Sequence, residues 1–385
     1  MKIKALPLLL GLAQTLSILR VVQRLLATAW GERLTPTVML DGRQAGHLSV
    51  IVPVLNEYHR LALCLDGLLD QGPEVAEILV VDGGSCDGTQ ALVETYMHRD
   101  TRVRLVDASP IPAGWNGKTW GLHCGFQQAA SASEWILTMD ADVRPGAMLV
   151  ATLLTQADKT GLRALSVATL QEIEGLGLGL LHPSLLTTLV YRFGSPGRPI
   201  SKVSEVQANG QCFLCQRTLL ESCGGFAMAR TSLCEDVTIA RTIVAAGHPV
   251  GFYEAGELVS VRMYQDWRET WQNWPRSLTM QDRFAGKQTL LSWLEIALVQ
   301  ALPLPLFCAL VPAWRSQRGL CAVNGVGLLL RLGILFGTTR AYRSRPWSYW
   351  LSPLCDVPVV LKLGLSALQR KHTWRGRTII RGGQE

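Results

Sequence analysis

Three apolar runs that stop at polar residues constrain this chain more than any other feature. Residues 48–55, 77–82 and 135–139 are short and dominated by Val, Ile and Leu. The first ends at Asn56-Glu57, the second at Asp82, and the third at Asp140-Ala141-Asp142. Near-continuous apolar runs are typical of strands buried on both faces, as in parallel sheets covered by helices. Leu61, Cys64, Leu65 and Leu68 repeat at helical spacing after the first run, and a helix is expected around 92–96 after the second. Residues 103–106 read as a further strand. Strand alternating with helix predicts an α/β fold with a mostly parallel sheet flanked by helices. Open sheets of this kind bind ligands at the carboxyl ends of their strands.

Those strand ends carry the chemistry. Residues i and i+2 of a strand point the same way, so Asp140 and Asp142 can face one site. Two hard oxygen donors this close suit Mg²⁺ or Mn²⁺ carrying phosphates; a capping turn before a helix is the competing reading. Residues 83–89 form a Gly-rich loop leading into a helix. Residues 110–117 hold two prolines and two glycines, with a helix expected to start at Lys118. A lysine at a glycine-framed helix start is well placed for a diphosphate. The spacing is not that of a Walker A loop. Residues 207–214 read as a strand entered through a turn, and 194–202 have no assignment. Glu235-Asp236 open an amphipathic helix, where acidic residues also serve as ordinary N-terminal partners.

The ends of the chain read differently. Residues 6–19 are apolar, with Arg20 and Arg24 just beyond, so residues 1–32 are expected as a membrane anchor or interfacial helix. No small-residue cleavage site follows, and no cleaved signal peptide is expected. Three apolar segments run over 289–312, 319–338 and 349–368, interrupted by Glu295, by Arg331, and by Asp356 with Lys362. The loops between them are basic, which argues against three full spans, so at least one segment is expected to be re-entrant or interfacial. Trp267, Trp271 and Trp274 fall on one helical face, and eight of the twelve tryptophans lie at or after Trp267. Tryptophan gathers where one side is apolar and the other wet, although core packing gives the same spacing. Charged residues are only 17% of the chain, and the mean hydropathy is +0.19. From Arg340 onward nine Lys/Arg face two Asp/Glu, which accounts for the whole net charge of +7. That excess forms a basic tail over 371–385 and its approach, suited to an anionic membrane surface and not to nucleic acid. The ten cysteines are scattered, which argues against a disulfide scaffold. Cys212 and Cys215, with Cys223 and Cys234, admit a zinc reading, but small core side chains explain them better.

Taken in order, Asn56-Glu57, Asp82-Gly-Gly-Ser85-x-Asp87, Gly114-Trp-x-Gly-Lys118, Asp140-x-Asp142 and Glu235-Asp236 resemble the family-2 glycosyltransferases of GT-A nucleotide-diphospho-sugar transferase fold. The resemblance covers about residues 47–285 and implies a hexosyltransferase whose N- and C-terminal helices (1–32 and 286–370) associate with the membrane. It implies nucleotide-sugar contacts from Pro53, Val54, Asn56, Glu57, Asp82, Gly83, Lys118, Asp140, Asn209, Gly210 and Glu235. Asp142, with Asp140, would hold Mg²⁺ or Mn²⁺, and Asp236 would be the general base. One base and one metal imply a single displacement with inversion. The Gln-x-x-Arg-Trp motif of processive synthases is absent; Trp271-Gln-Asn-Trp274-Pro-Arg276 is the nearest text.

Pro112-x-Gly114-Trp-x-Gly-Lys118, Asp140-Ala-Asp142-Val, Ala208-Asn-Gly-Gln211 and Arg262-Met-Tyr264-Gln are similar to membrane-bound members that glycosylate isoprenoid lipids. These include carotenoid glycosyltransferases acting on myxol-type 2'-hydroxyls and hopanoid-associated relatives. The resemblance implies a UDP-glucose or GDP-fucose type donor, a carotenoid acceptor, and a catalytic domain on the cytoplasmic side. Arg262, Tyr264, Trp267, Trp271 and Trp274 would then lie on the acceptor side. Another lipid acceptor (hopanoid, polyprenyl phosphate or glycerolipid), a sugar nucleotidyltransferase and a non-catalytic scaffold are the alternatives. The first strand lacks the Gly-rich, basic end usual in nucleotidyltransferases.

Overall fold

The computed structural model describes residues 2–38, 46–277, 284, 288–369, 371–374 and 377–380. Two compact units share the chain: one comprises Met1–Trp30, Glu172–Ser195 and Tyr264–Gln369, the other Gly31–Gln171, Pro196–Met263 and Arg370–Glu385. Residues 172–195 therefore group with Met1–Trp30 and Tyr264–Gln369, and not with the stretch around them in sequence.

Helix α1 (Lys2–Thr28) belongs to the first unit. The second unit then runs through β1 (Leu48–Val54), α2 (Tyr58–Leu69), β2 (Val75–Asp82), α3 (Thr89–Arg99), β3 (Val103–Asp107), α4 (Gly117–Gln128), β4 (Trp135–Met139), β5 (Val143–Pro145), α5 (Leu149–Thr160) and β6 (Ala164–Gln171). After α6 (Gly175–Phe193) in the first unit come β7 (Arg198–Ile200), β8 (Cys212–Gln216), α7 (Arg217–Ser222), α8 (Glu235–Ala245) and β9 (Val250–Val261). The first unit adds α9 (Trp267–Ser277), α10 (Gln288–Ile296), α11 (Pro303–Leu310), α12 (Trp314–Gly337) and α13 (Asp356–Leu368). Within the expected basic tail, β10 (Lys371–Trp374) pairs antiparallel with β11 (Arg377–Ile380).

The sheet order is β3-β2-β1-β4-β8-β6-β9-β5, with β7 also paired to β9. Strands β3, β2, β1 and β4 are parallel, the half foretold by the apolar runs. The other half makes the sheet mixed. Strand β8 runs antiparallel to β4 and β6, while β6 is parallel to β9. The 12-residue β9 takes β5 and β7 as antiparallel partners. Strand β7 falls in the stretch left unassigned from sequence. It is three residues long with Pro199 at its centre, so its pairing comes from β9 and not from any pattern of its own.

Alternation along β1 supplies two cores. Val50 and Val52 pack with Leu61, Leu65 and Leu68 of α2, and Ile51 packs with Val81 and with Leu122 and Phe126 of α4. This is why the run is apolar on both faces. Cys212 and Cys215 divide between those cores, on opposite faces of β8, as small apolar side chains. Helix α4 lies very close to the sheet at Gly125, where an added Cβ would meet Ile51 Cγ2 at 2.5 Å and Val81 Cγ2 at 2.9 Å. Gly125→Ala is expected to destabilise the protein by about 1–3 kcal/mol through overpacking, read as a lowered Tm in detergent.

In the first unit three helical stretches are long and apolar enough to cross a membrane: Leu6–Thr28, Pro303–Ala341 and Trp347–Leu368. The segment expected over 289–312 divides. Thr289–Ala301 is a shorter apolar helix, and Pro303 opens the next, as expected of a residue without an N–H to donate. On α1, Leu9, Leu12, Leu16 and Leu19 are exposed while Gln14, Ile18 and Val21 are buried. Gln14 and Asn324 of α12 exchange amide hydrogen bonds of 2.9 and 3.1 Å. Arg24 pairs with Glu295 at 3.1 Å, which accommodates one of the arginines that interrupt the run. Arg331 and Asp356 form a fully buried ion pair at 2.8 Å.

Candidate active site

The strand-end segments expected to receive the nucleotide are tied to one another. Val54 and Asp82 are aligned neighbours at the ends of β1 and β2, and the Gly83 amide donates to the Val54 carbonyl at 3.0 Å. Asn56 takes a left-handed backbone (φ 56°), which Asn tolerates better than most residues. Its amide donates to Ser85 Oγ at 2.8 Å, and its Oδ1 accepts from the Cys86 amide at 2.9 Å. The Glu57 amide donates to Thr89 Oγ1 at 3.0 Å and the Tyr58 amide to Asp87 Oδ2 at 3.1 Å. Asp82 is buried and accepts from the Gly84 and Ser85 amides, Ser85 Oγ and Gln90 Nε2. Its carboxylate therefore organises the 83–89 loop from within. Ser85 belongs to the motif quoted from the sequence, whereas Thr89 and Gln90 were not singled out; their signal is the density of short polar residues after a strand-end Asp.

Lys118 is the centre of the site. Asn116 caps α4, its Oδ1 accepting from the Lys118 amide at 3.1 Å. The Asn116 amide donates to the Arg230 carbonyl at 2.7 Å, and its Nδ2 to the Ser232 carbonyl at 2.9 Å. The loop before α4 is thus fastened to the loop before α8, and Trp115 of that loop meets Trp120 edge-on and His123 at a tilt, both from α4, with ring centroids 5.1 and 4.9 Å apart. The Lys118 ammonium lies 2.6 Å from Asp140 Oδ1 and 2.6 Å from Glu235 Oε1. Burial pulls its pKa down, but Asp140, Glu235 and Asp236 outweigh that and hold it well above the usual lysine value. Gly210 makes room for this cluster: a Cβ there would sit 2.8 Å from Lys118 Nζ and 3.0 Å from Glu235 Oε1. Its amide donates to Asp236 Oδ2 at 2.6 Å. Asn209 is turned inward, donating to Gln211 Oε1 at 3.0 Å and accepting from the Gln211 amide at 3.1 Å, so it shapes the turn that presents Gly210.

Two carboxylates are electrostatically out of the ordinary. Burial, then the charges of Asp140 and Glu57, push Asp142 up to about 7 against the pull of Arg60 and Lys118. Asp142 Oδ1 is buried and has no hydrogen-bond partner. A buried anionic oxygen without a donor, beside a second carboxylate, fits a hard divalent cation. Such ions take one or two protein carboxylates plus phosphate and water. Among the described residues no three His, Cys, Asp or Glu side chains gather into an all-protein cage. Asp236 is likewise pushed up to about 7, by burial and then by Glu235, against Lys118 and the Val237 and Gly210 amides.

The residues expected on the acceptor side are divided. Arg262 follows β9 directly in the sheet unit, whereas Tyr264, Trp267, Trp271 and Trp274 belong to the helical unit. Trp274 is buried, Trp267 is exposed, and the Lys362 ammonium sits 4.1 Å from the Trp271 ring centroid. The tryptophan stripe is therefore partly core, not one continuous exposed face.

The α/β domain thus gathers a lysine, an Asp-x-Asp pair and a helix-opening Glu-Asp at strand ends and helix starts. Residues 49–237 match the model of Glycosyl transferase family 2, and the chain carries a domain of that family. Among characterised relatives, it is 27% identical over 241 residues to 4,4'-diaponeurosporenoate glycosyltransferase of Staphylococcus aureus, covering 60% of each chain. It is 32% identical over 97 residues to the lipopolysaccharide core biosynthesis glycosyltransferase LpsC of Rhizobium meliloti, covering 25% of this chain and 32% of that one. It is 27% identical over 112 residues to glycosyltransferase GlyG of Streptococcus pneumoniae, covering 29% and 35%. The chain thus spans less than two thirds of the length of each. Among solved structures, the mannosyltransferase PcManGT of Pyrobaculum calidifontis, in complex with GDP-Man and Mn²⁺, aligns with a TM-score of 0.49 at 15% identity, over 93% of this chain and 99% of that one.

Proposed function

We propose that this protein transfers one sugar from a nucleoside-diphosphate sugar to a hydroxyl of a membrane isoprenoid lipid, a carotenoid, with inversion at the anomeric carbon. The observation that carries the reading is the Lys118 cluster, in which one ammonium joins Asp140 of the Asp-x-Asp pair to Glu235, next to Asp236. Asp236 takes the proton of the acceptor hydroxyl as that oxygen bonds to the anomeric carbon. The bond to the β-phosphate oxygen breaks, and the nucleoside diphosphate leaves with the electron pair. Lys118 offers its ammonium to the departing diphosphate. Asp142 and Asp140 would hold a divalent cation, which supplies Lewis-acid neutralisation of the leaving group.

The lipid acceptor is supported by the apolar helices and by the relative named for diaponeurosporenoate. The basic excess after Arg340 favours an anionic cytoplasmic leaflet, with the catalytic domain on that side.

Membranes carrying the protein, given radiolabelled UDP-glucose or GDP-fucose and a hydroxylated carotenoid, should yield a labelled glycolipid. Deleting the gene and weighing the pigments and polar lipids should reveal one lipid lacking a hexose or deoxyhexose. Release of pyrophosphate, or an unchanged lipid profile, would overturn the reading. EDTA should abolish transfer and added Mg²⁺ or Mn²⁺ should restore it, with Asp142→Asn requiring far more metal; full activity under chelation would remove Asp142 from the metal role.

A further inference from the structure

The Lys118 ammonium lies 2.6 Å from Asp140 Oδ1 and 2.6 Å from Glu235 Oε1, so one cation already serves Asp140, one of the two carboxylates that a metal would use. Asp142 Oδ1, on the other, is buried and has no hydrogen-bond partner. A second cation brought to Asp140 and Asp142 would meet the ammonium at close range, where like charges repel strongly. A lysine stem is flexible and its ammonium is a compact point charge, able to change partners without moving backbone. Glu235, with a side chain 7% exposed, anchors the ammonium on the other side. Gly210 leaves space beside Nζ that no Cβ occupies.

Resting on the function proposed above, we propose that Lys118 is the resident cation of the donor-free site. It holds the Asp140 oxygen, so that a divalent cation enters together with the nucleoside diphosphate, and the ammonium moves from Asp140 to a phosphate oxygen as they arrive. Metal and nucleotide then bind as a coupled pair. By linkage each raises the affinity of the other by the same factor.

The test is Mn²⁺ binding, followed by paramagnetic resonance on the detergent-solubilised full chain, without nucleotide and with UDP or GDP. Wild type binds Mn²⁺ weakly alone and about tenfold or more tightly with one of the nucleotides, within the usual range of coupling between sites. Lys118→Gln binds Mn²⁺ alone about tenfold more tightly than wild type and loses most of the nucleotide's enhancement. Lys118→Arg, which keeps the charge, stays near wild type. If the single variant fails to fold, the charge-balanced K118Q/E235Q variant should show the same tightening. Nucleotide-enhanced Mn²⁺ binding in wild type, with no tightening in K118Q or the double variant, overturns this inference alone. Absence of any UDP or GDP effect on wild type overturns the proposed function and this inference with it.

Discussion

Asp236→Asn lowers kcat by a factor of about 10²–10⁴, the usual contribution of a positioned general base, while donor affinity stays within a few-fold of wild type. Asn preserves the shape and can still accept from the Gly210 amide through its carbonyl oxygen, so the turn that presents Gly210 is retained. What it loses is the ability to take a proton. Equilibrium binding of the nucleotide and single-turnover transfer separate the two effects. Unchanged turnover would remove Asp236 from the role. The pH profile supplies an independent check. The base works ionised, and burial with the Glu235 charge raises its pKa to about 7. Transfer should therefore fall as pH drops below about 7 and level off above it. An acid limb near 4 would mean that Asp236 titrates as an ordinary carboxylate.

Arg331→Met is expected to lower stability by about 3–5 kcal/mol, the range for removing one partner of a buried ion pair. Arg331 Nε donates to Asp356 Oδ2 at 2.8 Å, and Nη2 donates to Asp356 Oδ1 at 3.1 Å and to Ser352 Oγ at 3.0 Å. Asp356 Oδ1 also accepts from Ser184 Oγ at 2.6 Å and Gln300 Nε2 at 2.9 Å. One carboxylate thus gathers groups from α6, α12, the start of α13 and the π-helical stretch Ala297–Ala301 between α10 and α11. Without Arg331 the charge of Asp356 is buried with neutral partners only. Asp356→Asn strands the guanidinium in the same way, and R331M/D356M should recover much of the loss, because the desolvation of both charges disappears. Thermal unfolding in detergent ranks the variants. A single variant as stable as wild type would show that the pair does not hold these helices together.

The legible part of the molecule was the part whose side chains report their own surroundings. Strands β1, β2 and β4 are buried on both faces, and their composition says so. Strands β5 and β7 are three residues each and owe their existence to β9, a partner fifty or more residues downstream, so no local period marks them. The same divide runs through the site. Asp140, Asp142, Lys118 and Asp236 were visible as residue types at strand ends and helix starts. The clamp of Lys118 between Asp140 and Glu235 was not, because it arises from the folding together of three distant segments. Asp82 shows the converse: a strand-end carboxylate reads as open to a ligand until its loop closes on it through Ser85 and Gln90. The tryptophan spacing fixed a helical face, but spacing alone does not distinguish buried Trp274 from exposed Trp267.

The amide exchange between Gln14 and Asn324 spans 310 residues of chain. At ribosomal speeds of about 5–20 residues per second, α1 leaves the ribosome roughly 15 to 60 s before its partner has been made. During that interval the Gln14 amide has no Asn324 to meet, and the helix sits in its surroundings as a provisional guest. The first helix is therefore not interchangeable with any other apolar helix. Swapping it for a generic apolar helix would leave Asn324 facing a neighbour that cannot answer it.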